Sequence, residues 1–301
     1  PYGKKGQAIY SISRGDLNIA LMNKADESEN VTFAFHEKTS DIDLRENIIH
    51  FENTKTNSAG SLSPDLIFGT DGAFSAVRGA LQKTNMFNYS QQYLEHGYKE
   101  LTIPAKENGE HRLDKNALHI WPRKSFMLIA LPNLDGSFTL TLFLKFKGAE
   151  SFETLTNDDE ILHFFKRHFP TALEQMPELL KDFHENPSAS LVTVRCNPWH
   201  YKNVCLMGDA AHAIVPFYGQ GMNAGFEDCF VLDEIIERHQ LDDWDAVFAE
   251  YTRYQAKNGI AIAELALRNF IEMRDATADD SFLLRKKLEL FLMEKFPGRY
   301  L

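Results

Sequence analysis

No run of the roughly 20 apolar residues needed to cross a bilayer occurs in these 301 residues, because charges interrupt the longest candidates every few positions. A membrane-spanning segment is therefore not expected. Positive charge is in deficit: 32 Lys and Arg stand against 43 Asp and Glu, a formal net charge of −11. Phosphate backbones are gripped by clustered Lys and Arg, so this balance excludes a nucleic-acid partner. Cysteine is scarce and odd in number. Cys196, Cys205 and Cys229 cannot all pair and have no metal-ligand spacing, and two of them sit in apolar runs. They read as reduced core residues in a reducing compartment, with no metal site. There is no internal repeat and no low-complexity linker. The opening Pro1-Tyr2-Gly3-Lys4-Lys5-Gly6 has neither an initiator Met nor the form of a signal peptide, and Phe296 to Leu301 follow a helical pattern without a closing element. The chain is expected to begin, and to end, inside a longer protein.

What is present is a globular composition. At 44% hydrophobic and 12% aromatic residues, the chain can bury a sizeable core as one large domain or two intimate ones. Gln7 to Ile12, Val31 to Phe35 and Ile48 to Phe51 read as short strands. Ser13-Arg14-Gly15-Asp16-Leu17 starts a helix with Leu17, Ala20 and Leu21 on one face. Asp65 to Gly69 is a nearly continuous apolar run, as expected of a strand covered on both faces in an α/β sheet. From about Tyr98 to Phe146 alternating strands take over: Leu101 and Ile103, His119 to Trp121, Phe126 to Leu131 and Phe138 to Leu144, with a hairpin turn at Pro132-Asn133-Leu134-Asp135-Gly136. This block predicts an antiparallel sheet with one covered face. After strands at Val192 to Arg195 and Val204 to Met207 the chain turns helical. From Trp244 to Met273 the residues Val247, Tyr251, Tyr254, Ile262, Leu265 and Asn269 recur at helical spacing, with a kink at Gly259.

Two corners carry chemistry. Val204-Cys205-Leu206-Met207 delivers Gly208-Asp209 at a strand end, and Gly219-Gln220-Gly221-Met222-Asn223 then opens a helix. A helix start offers N–H groups without intrahelical partners and attracts negative charge. Asp209 either accepts hydrogen bonds from a ligand hydroxyl or caps a short helix beginning at Ala210. The neighbouring glycines favour the ligand, since two glycines before a helix start form a nest. The second corner is Asp65-Leu66-Ile67-Phe68-Gly69-Thr70-Asp71-Gly72-Ala73-Phe74-Ser75-Ala76-Val77-Arg78, where strand, Asp-Gly turn and helix start meet at the sheet's carboxyl edge. Arg14 is either a solvated charge or a cofactor contact. Asn269 is either a member of a core hydrogen-bond network or a ligand-facing group, because a buried amide must be hydrogen-bonded. His212 reads as structural, and Trp121-Pro122-Arg123 as packing.

On these residues the chain resembles the single-component FAD-dependent aromatic hydroxylases: Gly69 to Arg78 is similar to their DG motif and Gly208-Asp209 to their GD motif. Tyr89 to Tyr93, His96-Gly97-Tyr98, Glu100 to Pro104, Leu118 to Arg123, the 208–229 segment and Ile271 to Arg274 resemble the branch that acts on kynurenine, over essentially the whole chain. The resemblance implies an α/β fold: a Rossmann-like, three-layer FAD-binding domain (1–95 and 190–240), an inserted, mostly antiparallel substrate domain (96–189) and a helical region (241–301). It implies FAD as cofactor, NADPH as a transient co-substrate, and O2-dependent hydroxylation of L-kynurenine to its 3-hydroxy product. Asp209 would hold the ribityl chain, and the backbone of Met222 and Asn223 would face the flavin ring. Arg14, Asp71 and Thr39 would contact FAD, Thr39 after the strand near the adenine, and Tyr2 and Asn269 would bind the amino-acid end of the substrate. No side chain is expected as indispensable acid, base or nucleophile. The family's GxGxxG loop occurs nowhere in the sequence, so the first βαβ unit is expected to be missing. A related hydroxylase or epoxidase with another substrate, or a catalytically silent module, remains the alternative. The resemblance places bacterial members in the cytoplasm and eukaryotic ones at the mitochondrial outer membrane.

Overall fold

A computed structural model of the chain describes residues 11–239, 243–274 and 280–296. It divides into two compact units, one of residues 34–94 and 191–272, the other of residues 1–33, 95–190 and 273–301.

The first unit holds both Asp-bearing corners. Strands β1 (Glu37–Asp43), β2 (Ile48–Asn53) and β3 (Ala59–Leu62) form an antiparallel meander, with a bulge in β1 between Thr39 and Asp41. Val31 to Phe35 is not a strand; the chain first pairs six residues later than its apolar residues begin. Pairing with β2 selects the polar Glu37–Asp43 segment over local β propensity, which is a weak determinant at a sheet edge. Strand β4 (Ile67–Gly69) leads into helix α2 (Ala76–Leu81). Only alternate residues of β4 are buried: Phe68 is half exposed and meets Phe248 edge-on at 5.5 Å, so the expectation of two covered faces fails at that position.

In the second unit, helix α1 (Arg14–Asp26) starts at the predicted place, with Ser13 Oγ accepting the Asp16 N–H at 3.2 Å. It has no buried residue, so Leu17, Ala20 and Leu21 do not form a packed face. The expected strand over Gln7 to Ile12 falls mostly outside the described residues, and Ser11 and Ile12 are not in a strand. The predicted antiparallel block is present as β5 (Asn88–Ile103), β6 (His119–Pro122), β7 (Met127–Pro132) and β8 (Phe138–Lys145), joined later by β9 (Ala189–Asn197) in the order β6-β7-β8-β5-β9; residues 88–94 of β5 and 191–197 of β9 are counted in the first unit. The β7–β8 hairpin turns at Gly136, whose φ of 88° suits glycine. Residues 158–185 carry helices that no expectation covers: α3 (Asp158–His168), α4 (Pro170–Leu173) and α5 (Leu179–Glu185). Their signals are local. Asn157 caps α3 by accepting the Glu160 N–H, three acids fill its first turn and three basic residues its last, which complements the helix dipole. Ile161, Phe164 and Phe165 then bury one stripe in the same core as Leu101, Phe138, Leu140 and Leu142, covering one face of the sheet as expected.

The remaining elements are β10 (His200–Tyr201), β11 (Val204–Leu206), α6 (Asp209–His212), α7 (Gly221–Arg238), α8 (Trp244–Arg274) and α9 (Asp280–Lys295). Strand β11 pairs in parallel with β4, Leu206 opposite Gly69, and antiparallel with β10. Helix α8 runs unbroken through Gly259, and its buried stripe matches the predicted one at Val247 and Tyr251 but departs from it beyond. Tyr254 and Leu265 are exposed, while Phe248, Tyr251, Thr252, Gln255, Gly259, Ala263, Ala266 and Phe270 face inward. The glycine serves close approach: a Cβ there would lie 3.1 Å from His212 Cβ and 3.2 Å from Trp199. Among the described residues, no helix is long and apolar enough to cross a membrane, and no group of metal-ligating side chains occurs.

Candidate functional site

The parallel pairing of β4 with β11 brings the two motifs to one edge. Both strands point the same way and their ends are in register at Gly69 and Leu206, so the corners at Asp71 and Asp209 follow side by side, where α/β sheets bind ligands. A Cβ on Gly69 would stand 2.8 Å from Val77 and 2.9 Å from Leu206, so only glycine lets α2 pack this closely on the strand ends.

Arg78 joins the corners. Its guanidinium donates from Nη2 to the Ala73 carbonyl (2.5 Å) and from Nη1 to the Ala210 carbonyl (2.7 Å), and it lies over the Tyr89 ring at 5.1 Å. At 2% exposure, two carbonyls and an aromatic face replace water around this charge, while its buried Nε has no hydrogen-bond partner. Asp71 is committed locally: its carboxylate accepts from Ser75 Oγ (2.5 Å), the Ala76 N–H (2.7 Å) and the Val77 N–H (3.2 Å). It shapes the start of α2, and any ligand contact it makes is shared with that task.

Asp209 is exposed and is the first residue of α6, not its cap; the cap position is Gly208, and no side chain caps that helix. Gly208 has φ 57° and ψ −141°, which side chains on Cβ disfavour. Helix α7 begins at Gly221 with no side-chain cap and no acidic residue in its first turn. Met222 and Asn223 are exposed there, and the Asn223 amide donates to Gln220 Oε1 at 2.9 Å. A Cβ added at Gly72, Gly208, Gly219 or Gly225 would meet nothing within 4 Å. Open space beside bare backbone, together with an uncapped helix start, fits a flat group that carries negative charge.

Asn269 is half-buried and its amide donates to the Phe217 carbonyl, while Phe270 stacks on Phe217 with centroids 4.2 Å apart. This bond ties α8 to the Pro216–Tyr218 turn. Thr39 is half-buried inside β1, opposite Phe51, and does not follow a strand as expected. Arg14 opens α1 in the other unit and is exposed. Tyr2 lies outside the described residues.

The residue most missed by sequence reasoning is Asp228. It is 1% exposed on α7 and accepts from the Gly208 N–H (2.7 Å), His212 Nε2 (2.6 Å) and Gln255 Nε2 (3.1 Å). A legible signal existed: Asp228 shares the helical face of Val231, Leu232 and Ile235, and a carboxylate on an apolar face needs partners. His212 is structural, as expected, pressed on Trp199 with ring centroids 4.9 Å apart. Burial and the nearby Asp228 charge push the Tyr251 phenol well above its ordinary range. Burial likewise raises the Cys196 thiol to about 12 and Cys205 further, so both are inert thiols, as expected of core cysteines.

Comparison with known proteins agrees with this geometry. Residues 3–240 match the model of the FAD binding domain family. Kynurenine 3-monooxygenase of Flavobacterium johnsoniae is 50% identical over 301 residues, covering 100% of this chain and 67% of the relative. The protein of that name from Dictyostelium discoideum is 48% identical, covering 97% of this chain and 65% of the relative. The chain thus spans about two thirds of the length of these relatives. Among solved structures, Klebsiella pneumoniae HpxO complexed with FAD and uric acid superposes with a TM-score of 0.65 at 16% identity, covering 94% of this chain and 68% of that one. A tetracycline destructase gives 0.63 at 16% identity, covering 94% and 72%. These two likenesses concern the fold.

Proposed function

This chain belongs to the kynurenine 3-monooxygenase family of FAD-binding proteins, and from that membership we propose that it serves the hydroxylation of L-kynurenine to 3-hydroxykynurenine. FAD, when bound, supplies the path by which NADPH electrons and O2 bring one oxygen atom to the substrate ring. The observation that carries the reading is the pair of Asp-bearing corners on the adjacent parallel strands β4 and β11, cross-braced by Arg78.

The chain's own residues then have definite tasks. Asp209, exposed at its corner, holds a ribityl hydroxyl. The start of α7, with the backbone of Met222 and Asn223, faces the electron-rich edge of the flavin ring, where helix N–H groups stabilise negative charge. Asp71 acts through α2, whose start it forms. Arg14 and Thr39 are proposed as further FAD contacts, and Tyr2 and Asn269 as binding the amino-acid end of the substrate. For Asn269 this works through the turn it holds at Phe217. No side chain of the site is assigned as acid, base or nucleophile. NADPH is assigned a transient encounter. We propose a cytoplasmic location if the chain is bacterial and the mitochondrial outer membrane if it is eukaryotic.

The test is NADPH consumption by the flavin-loaded protein with L-kynurenine against simple phenols, with 3-hydroxykynurenine measured as product. Kynurenine is expected to accelerate NADPH oxidation and to be converted. Stimulation by phenols alone would move the assignment to another hydroxylase, and failure to bind flavin would remove the enzyme reading.

A further inference from the structure

We infer that Asp228 is a positioning residue that sets the geometry of the flavin-facing backbone, an inference that rests on the functional reading above. Its single oxygen Oδ2 grips both ends of α6. It accepts the N–H of Gly208, the residue before the helix, and the Nε2–H of His212, its last residue. Asp209 lies between these two anchors, so the direction in which its carboxylate leaves the strand is fixed by one buried oxygen. Gly208 adopts φ 57° and ψ −141°, one of several conformations open to a glycine, and the bond to Asp228 selects it.

The other end of the link is α7 itself. Asp228 lies seven residues beyond Gly221, about 10 Å along the helix axis at 1.5 Å per residue, so a shift of the carboxylate carries the helix start with it. One side chain therefore couples the piece assigned to the ribityl chain with the piece assigned to the ring. Oδ1 has a separate duty: it accepts from Gln255 on α8 and secures the carboxylate from behind. His212 cannot swing away, since Trp199 stacks on its ring and Gly259 closes on its Cβ. A carboxylate meets this demand and an amide does not. Three donors converge on it, Asn offers one oxygen, and hydrogen bonds to an ionised acceptor are about twice as strong as neutral ones.

The experiment compares Asp228→Asn, His212→Gln and Gln255→Leu with the wild type in the holoprotein. It measures FAD dissociation constant, the visible absorption band of the bound flavin and thermal stability of the apoprotein. Asp228→Asn and His212→Gln are expected to weaken FAD binding roughly 10- to 100-fold, taking the loss found when partners behind metal-ligating side chains are removed as the scale, and to alter the band. Gln255→Leu, which leaves the Oδ2 bonds in place, is expected to lose stability while holding FAD affinity within about threefold, less than that partner effect. Should Asp228→Asn fail to fold, the contrast between His212→Gln and Gln255→Leu decides. Equal effects of the two on FAD affinity, or an unchanged band and affinity in a folded Asp228→Asn protein, overturn the inference. A wild-type protein that takes up no FAD overturns instead the functional reading beneath it.

Discussion

Replacing Gly69 by Ala tests how tightly the two strand ends are locked. The added methyl would sit 2.8 Å from Val77 Cβ and Cγ1 and 2.9 Å from Leu206 Cδ2, distances that real carbon contacts do not reach. Neither neighbour can yield cheaply: Val77 is 5% exposed on α2 and Leu206 is fully buried on the paired strand. Truncating Val77 would not cure it, because its Cβ is itself at clash distance. Relief requires moving α2 off β4, and Asp71, which holds the start of α2 through Ala76 and Val77, moves with it. Overpacking of this kind costs about 1–3 kcal/mol, and at about 2–4 °C per kcal/mol for a domain of this size the melting temperature falls by roughly 2–12 °C. The internal control is Gly79→Ala, ten residues on in the same corner. A Cβ there meets nothing within 4 Å, and the position is inside α2. Removing a helical glycine stabilises by about 0.5–1 kcal/mol. Thermal and urea unfolding of both variants, with an FAD titration, reads the result. Gly69→Ala is expected to lose stability and FAD affinity together, while Gly79→Ala gains stability. A Gly69→Ala protein as stable as wild type, or a Gly79→Ala protein equally damaged, would refute the packing account.

Asp71→Ala removes the acceptor of three hydrogen bonds at the start of α2 and should cost about 1 kcal/mol, as loss of a helix cap does; an unchanged urea midpoint would contradict it. Burial holds the His200 imidazole below its ordinary value, against a smaller opposing pull from Asp245, and Nδ1 lies 2.8 Å from Thr252 Oγ1. The unfolded chain therefore takes up this proton more readily. The associated stability is present above the ordinary histidine pKa, near 6.5, and is lost as pH falls through the lower folded value. His200→Gln should flatten the decline of stability below about pH 6.5, and a variant whose pH profile superposes on wild type would show the assignment to be wrong. Thiol alkylation of the native protein at mild alkaline pH should reach Cys229, the exposed cysteine, and spare Cys196 and Cys205. Modification of all three at the native rate would show that the core opens.

The elements with strong local patterns were readable in advance. The β7–β8 hairpin has alternation and an Asp-Gly turn, the starts of α1 and α7 have a serine cap and paired glycines, and the short apolar Val204–Leu206 run before Gly208 reads as a buried strand. These rest on interactions between residues a few positions apart, which the order of amino acids specifies directly. Motifs at Gly69–Arg78 and Gly208–Asp228 likewise made the chemistry legible, because only certain residues build a strand-turn-helix corner. Other features depended on partners distant in sequence. The polar β1 is a strand because β2 supplies its hydrogen bonds, while the apolar Val31 to Phe35 is not. The inward stripe of α8 is phased by what it meets: Gln255 faces Asp228 and Gly259 admits His212, so larger apolar residues such as Leu265 turn outward. Asp71 and Asp209 are 138 positions apart, and only the parallel pairing of β4 with β11 brings their corners to the same sheet edge. Arg78 and Asp228 are two ordinary surface-type residues in the sequence. Burial gives them their role, since a charge removed from water must be met by donors or acceptors that the fold has brought from elsewhere.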